Sequence, residues 1–343
     1  MTDADPVAYA YYPTGDPRSG AAWFNNSSGV FDAPRRGNYA WMAFIHETSH
    51  ALGLKHGHEF PAISSEFDSL EYSVMTYRSY PGAPADGGYL NETFGFPQSL
   101  MMYDIAALQQ IYGADYGYNA GNTVYRWSPT TGQMFINGVG QERPGDNRVF
   151  QTIWDGGGND TYDLSNYTTH VRIDLRPGEW TTTSEIQLAN LGDFHTARGN
   201  VANALLHDGN TASLVENAIG GSSGDAIIAN EAANRLTGGR GADVFVFHSV
   251  MDSPVGAADL ITDFVSGGDE SIILEGIDAD ATTEANDTFR FIGTDAFRGT
   301  AGELRYETEG DRVHIFGDVD GDAIADLHII VNSPTLVIHD FYL

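Results

Sequence analysis

The sequence predicts an α+β chain: a two-helix α/β unit over residues 1–115, then an all-β domain of parallel β-roll and β-sandwich type over 116–343. Three observations carry this. The stretches 39–55 and 98–112 have helical spacing and helix-type boundaries. After about residue 116 that periodicity fades, and short apolar strands alternate with Gly/Asp/Asn clusters. Two of those clusters begin eighteen residues apart, twice a nine-residue period.

Composition bounds the function. A chain of 343 residues with 41% hydrophobic residues suggests two packed cores. Lys and Arg total 17 against 47 Asp and Glu. A net charge of −30 argues against nucleic acid or an anionic membrane as partner and directs attention to bound cations. With no cysteine, any zinc site must use His and carboxylates, and no disulfide contributes stability. Met1–Pro6 has neither a basic segment nor a long apolar stretch, so no ordinary signal peptide is expected there. No apolar run is long enough for membrane insertion.

In chain order, 7–13 and 20–25 read as two strands joined by a Pro/Gly turn. The first helix, 39–55, ends at Gly53; the second, 98–112, lies between Pro97 and Gly113, with Tyr103, Ala106, Ala107 and Ile111 on one face. Gly220–Asp225 and Gly238–Asp243 then match the G-G-x-G-x-D-x-U-x repeat of calcium-binding parallel β-helices, each preceding an apolar strand, Ala226–Ile228 and Val244–Val246. The unit between them, Asn230–Leu236, is degenerate, and Ser223 stands where the first repeat should have Gly.

Residues 46–56 read His-Glu-Thr-Ser-His-Ala-Leu-Gly-Leu-Lys-His. On a helix His46 and His50 share a face, one turn apart, and can hold one metal. Glu47 sits beside that metal as a proton acceptor without binding it. Gly53 allows a sharp turn that returns His56 as third ligand. Three imidazoles leave a fourth position open, the arrangement of a catalytic zinc centre. His58 and Glu59 read as a solvated turn rather than further ligands. His170, His195, His207, His248, His314, His328 and His339 lack ligand spacing.

Calcium prefers oxygen ligands. In the repeats Asp225 and Asp243 are the candidates, with Gly239 and Gly241 supplying carbonyls. Asp318, Asp320, Asp322 and Asp326 occupy positions 1, 3, 5 and 9 of an EF-hand-like loop; Gly321 is at position 4 and Ile329 replaces the bidentate Glu. This reads as a calcium-stapled turn between two strands. The alternative for each acidic loop is a solvated turn.

The zinc motif is followed by Ser73-Val74-Met75-Thr76-Tyr77. With this Met-containing turn the chain resembles metzincin metalloproteases of the serralysin type, peptidase family M10B, with an RTX calcium-binding β-roll. Tyr103–Gly113 resembles the helix that closes serralysin catalytic domains. The resemblance implies a partial metzincin domain and a secreted zinc endopeptidase that cleaves proteins or peptides, with one catalytic zinc and several structural calcium ions. It implies that Tyr77 is an additional zinc ligand and acts in catalysis, Thr76 replacing the usual Ser, and that Met75 packs beneath the metal. It implies calcium ligands at Asp155, Gly157, Gly158 and Asp160, at Glu216, and at Asp263 with Asp269. Val7–Tyr12 resembles the edge strand that receives substrate, through Val7, Ala8, Tyr9, Ala10 and Tyr11.

Only 45 residues precede His46, and they resemble the last two strands of a longer sheet. The expectation is a fragment, a misplaced start or a shortened relative, with no propeptide visible. The rival function is therefore an impaired relative acting as a secreted calcium-binding module. A purely structural adhesin would have no use for the zinc helix. Asp340-Phe341-Tyr342-Leu343 resembles the terminal signal of substrates of bacterial type I secretion; the alternative is an ordinary last strand.

Overall fold

The computed structural model describes residues 7–27 and 29–343. The segment Met1–Pro6, read as lacking a signal peptide, lies outside the described residues. The protein is mostly β, with two α-helices among the described residues. No helix among the described residues is long and apolar enough to cross a membrane.

The chain forms two compact units that interleave in sequence. The first runs to Tyr116 and takes in Trp127–Gly156 and Ser184–Asn210; the second comprises Gly117–Arg126, Gly157–Thr183 and Thr211–Leu343. The sequence suggests a single break at 115/116. The interleaving arises because the strand Gln151–Ile153 pairs in parallel with Val201–Asn203, and its neighbour Phe150 accepts a hydrogen bond from the Gln98 amide.

In the first unit, strands β1 (Ala8–Ala10) and β2 (Ala22–Phe24) form an antiparallel pair with Tyr9 opposite Trp23. Helix α1 (Tyr39–Ala51) starts at Asn38, whose side chain accepts the Trp41 amide and so satisfies a donor that the first turn leaves unpaired. Phe24, Phe31 and Phe44 lock β2 against α1, with ring centroids 4.2–5.5 Å apart. Ala40, Met42, Ala43, His46, Glu47, Ser49 and His50 form the buried stripe of α1.

Helix α2 is Met102–Tyr112 and starts later than residue 98. Asp104 caps it by accepting the Met101 amide, while Gln98 and Ser99 bond to the strand at 150–152 instead of extending the helix. Ile111, placed by spacing on a face with Tyr103, is 52% exposed; the buried positions are Met102, Asp104 and Gln109.

The second unit is a coil of parallel strands alternating between two sheets. One sheet contains Thr161–Asp163, Asn217–Ile219, Arg235–Thr237, Asp259–Ile261 and Leu327–Val331, side by side in parallel. The other contains Arg172–Asp174, Ala226–Ile228, Val244–Val246, Ser271–Ile273 and Phe341–Tyr342. Each full turn in the repeat region takes eighteen residues, so Ala218 stacks on Leu236 and Ile227 on Phe245. These four side chains have no exposed surface and form the core of the coil. The degenerate repeat thus still supplies a strand. Glu303–Glu309, Arg312–Asp318 and Leu327–Val331 add an antiparallel ribbon to the first sheet.

Candidate metal centre and cation-binding turns

His46 and His50 project from successive turns of α1, with ring centroids 4.7 Å apart. Gly53 has φ +106°, a conformation that favours glycine, and the chain doubles back there to bring in His56. The metal-binding nitrogens of the three histidines lie within 4.8 Å of one another. Each outer nitrogen has an acceptor. His46 Nδ1 is 2.7 Å from the Val74 carbonyl, His50 Nδ1 is 2.7 Å from the Leu54 carbonyl, and His56 Nδ1 is 2.8 Å from Glu59 Oε1. Carbonyl and carboxylate oxygens accept, so each Nδ1 carries the proton and each Nε2 turns a lone pair inward. His50 and His56 Nε2 are 3.0 Å apart, a contact that calls for a cation or a shared proton between them. Three inward nitrogen donors suit zinc.

Glu47 is buried beside this triad, and its Oε2 has no hydrogen-bond partner among the described residues. Burial pushes its carboxyl up to about 7 and pulls the His46 imidazole down to about 4. An orphaned buried carboxylate next to three convergent imidazoles fits a site built for a cation and a water molecule. Tyr77 Oη lies 2.6 Å from His56 Nε2. Met75 is 2% exposed, and its carbonyl accepts the Gly57 amide, fixing the turn that carries His56.

The Met75 turn is itself held from α2. Asp104, fully buried, accepts from the Ser73 hydroxyl at 2.6 Å, the Val74 amide at 2.8 Å and the Met101 amide at 2.9 Å. Val74 is the residue whose carbonyl fixes His46. Sequence reading missed Asp104; an acidic residue in the first turn of a helix is a visible signal, but its partners thirty residues away are not.

A cavity of about 390 Å³ opens over Glu47 and the histidines. Of the expected substrate strand, Val7, Ala8, Tyr9 and Ala10 line it; Tyr11 does not and instead packs under the Arg18 guanidinium, while Tyr12 takes its place. Val7 and Tyr11 use backbone groups on the β2 side, and the opposite edge of β1 has no strand partner among the described residues.

The expected calcium residues fall into separate groups. Asp155 is buried in the first unit. In the second, Gly157 and Gly158 have φ +139° and +146°, Asp160 Oδ1 accepts the Thr123 amide, and the Asp160 amide donates to Glu216 Oε2 at 2.7 Å. Asp225 Oδ1 accepts the Val171 amide and Asp243 Oδ1 the Asp225 amide, each acid capping the preceding rung. Asp243 Oδ2 is buried without a partner among the described residues, and burial, with Asp225 and Asp263 adding, pushes its carboxyl up to about 6. A Cβ at Gly239 would strike the Gly221 carbonyl and one at Gly241 that of Ser223, so close stacking of the turns needs glycine. Asp263 accepts the Gly238 and Gly239 amides; Asp269 is exposed, and Glu270 holds the buried position. Glu270 was missed, although it precedes Ser271–Ile273 as Asp243 precedes Val244–Val246. Asp318, Asp320 and Asp326 gather within ligand range, whereas Asp322 turns to the Ile324 amide.

Asp340 is buried, accepting from Ser266 and Gly267, and Phe341–Tyr342 closes the second sheet as a strand.

The second unit is thus a parallel coil of Gly/Asp-rich repeats, and the first carries a helix-borne histidine triad whose three nitrogen donors fit a metal ion. The sequence profile "Peptidase M10 serralysin C terminal" matches residues 114–343. Metallopeptidase AprA of Pseudomonas marginalis is 33% identical over 93% of this chain and 67% of its own length. Serralysin G of Dickeya chrysanthemi is 28% identical over 98% and 69%, and serralysin of Photorhabdus luminescens 32% over 90% and 64%. The chain belongs to the serralysin-type M10B metalloprotease family.

Proposed function

We propose that the chain is a secreted, zinc-dependent, calcium-stabilised endopeptidase that hydrolyses peptide bonds of proteins. The observation that carries this is the convergence of three inward-facing imidazole nitrogens beside the buried, unpartnered Glu47 carboxylate.

His46, His50 and His56 would hold one zinc ion, with Tyr77 at its side. A bound zinc ion supplies Lewis acidity that makes water a nucleophile near neutral pH. The open edge of β1 aligns an extended peptide by backbone pairing, with Val7, Ala8, Tyr9 and Ala10 along its path. Glu47 Oε2 accepts the proton of the attacking water and returns it to the leaving amine. Tyr77 Oη donates to the oxyanion. We assign residues 1–115 the catalytic role and 116–343 the calcium-stiffened role. The Asp and Glu side chains of the roll's turns and of the 318–326 loop would bind calcium. Export by a type I apparatus through the C-terminal residues belongs to the same reading.

The test is casein hydrolysis with zinc analysis. The wild type should carry about one zinc per chain and cleave. Glu47→Ala should keep zinc and lose about 10²–10⁴-fold in rate, the range for a positioned proton-transfer group. His50→Ala should lose the metal. An inert wild type holding zinc and calcium would leave a calcium-binding module without turnover; β1 and β2 standing as a two-stranded sheet among the described residues is the observation that favours that second reading.

A further inference from the structure

The three histidines are anchored unequally. His46 and His50 give their Nδ1 protons to backbone carbonyls, those of Val74 and Leu54. Those acceptors are fixed by main-chain structure. His56 lies beyond the α1 C-terminus on the turn after Gly53, and its Nδ1 meets a side chain, Glu59 Oε1, at 2.8 Å. Donor and acceptor sit three residues apart on one turn. We propose that Glu59 is the positioning residue of the third metal ligand: its carboxylate fixes the His56 tautomer, aims Nε2 inward and strengthens that nitrogen as a donor.

The physical reasons are direct. A histidine binds a metal through one nitrogen, and the partner of the other nitrogen sets ring orientation and basicity. A carboxylate acceptor makes the ring more electron-rich than a carbonyl does. It also adds a negative charge close to a site whose three ligands are neutral imidazoles. His56 has more need of such an anchor than its partners, because a turn holds a side chain less firmly than a helix. The neighbouring His58 ring stacks on His56 at 5.4 Å with an interplanar angle of 11°, closing the outer face of the same ring. His56, His58 and Glu59 also offer donor atoms within 4.8 Å of one another, and a second metal held there would compete for His56. The hydrogen bond at 2.8 Å favours the positioning role.

This rests on the reading of the three-histidine centre, so the experiment has one arm with metal and one without. Zinc affinity is measured by competition with a chromophoric chelator for the full chain and for Glu59→Gln, Glu59→Ala, Glu59→Asp and His58→Ala. Loss of an outer-shell partner is worth 10–100-fold in affinity. Glu59→Ala is expected to weaken zinc about 10–100-fold, Glu59→Gln about tenfold because an amide oxygen still accepts, and Glu59→Asp less than either. His58→Ala is expected to stay within about threefold, well under that 10–100-fold range. Cobalt substitution reads the geometry independently: the visible spectrum of the Glu59→Ala complex should shift from that of the parent. In the metal-free chain, histidine-selective ¹⁵N NMR should show an Nδ1–H tautomer for His56 that Glu59→Ala abolishes. Zinc affinities that agree within twofold across the Glu59 series overturn the proposal. So does a His56 tautomer indifferent to Glu59, which is decisive even if the parent chain binds no zinc and the endopeptidase reading fails. A stoichiometry of two zinc ions reduced to one by His58→Ala overturns it in favour of the outer metal.

Discussion

At the residue scale, the centre depends on hydrogen bonds that place lone pairs. Tyr77 Oη stands 2.6 Å from His56 Nε2, and burial, with the charges of Glu47 and Glu59 adding, pushes its phenol up. A phenol kept protonated can donate to a developing oxyanion. Tyr77→Phe is expected to lower kcat about 10²-fold, the scale of one oxyanion donor, with KM nearly unchanged. Steady-state kinetics on a fluorogenic peptide checks this; a KM effect with constant kcat would make Tyr77 a binding residue. Asp104 acts one step further away. Asp104→Ala removes three hydrogen bonds and should cost about 2–3 kcal/mol, read by urea unfolding. Its carboxyl is pushed by burial from 3.8 up to about 6. The folded state therefore holds the proton more tightly than the unfolded chain. The contribution of Asp104 to stability is fully present below about pH 4 and is lost as pH rises through about 6. The stability difference between wild type and Asp104→Ala should shrink from about pH 4 to pH 7; a difference that grows over that range refutes the assignment.

At the element scale, the turns of the roll are fixed by what cannot fit. Gly239 has φ +99° and faces the Gly221 carbonyl of the preceding turn. Gly239→Ala combines a disfavoured backbone with a clash and should destabilise the roll by more than about 1 kcal/mol, seen as a lower melting temperature. Gly256, with φ +102° and nothing within reach of an added Cβ, is the control: its Ala variant carries the backbone strain alone and should lose less. Equal losses would mean that stacking between turns contributes nothing. The helices show the same division between local rule and tertiary contact. The α1 cap is local, Asn38 accepting the Trp41 amide three residues on, whereas the start of α2 moved to Met102 because Gln98 and Ser99 found partners on a distant strand.

At the scale of the whole molecule, charge sets the expectation for how folding depends on cations. The net charge is −30, and carboxylates that stack on successive turns, such as Asp225 and Asp243, are pushed up by burial. A cation between such groups offsets both repulsion and desolvation, so its binding free energy becomes folding free energy. Calcium at a hundredfold excess over Kd should add about 2.7 kcal/mol per site. In a thermal melt of the full chain, millimolar calcium should raise the transition of the roll well above that in excess chelator. Sodium chloride at matched ionic strength should recover only the screening part. A transition indifferent to calcium would make these loops solvated acidic turns.

The sequence by itself determined the strictly local chemistry. A helix places His46, Glu47 and His50 by its period alone, Gly53 permits the return of His56, and an eighteen-residue repeat sets the register of Ala218 on Leu236. Tertiary structure decided what depends on partners distant in sequence. It brought Asp104 to the Met75 turn, turned Tyr11 away from the cleft, put Glu270 rather than Asp269 at the buried rung, and drew 127–156 and 184–210 into the first unit. Glu59 lies between the two cases: three residues from His56, it reads as a solvated acid until the turn closes and its oxygen meets Nδ1. A carboxylate gains its role from the donors that surround it, and those are set by how the chain packs rather than by the order of its residues.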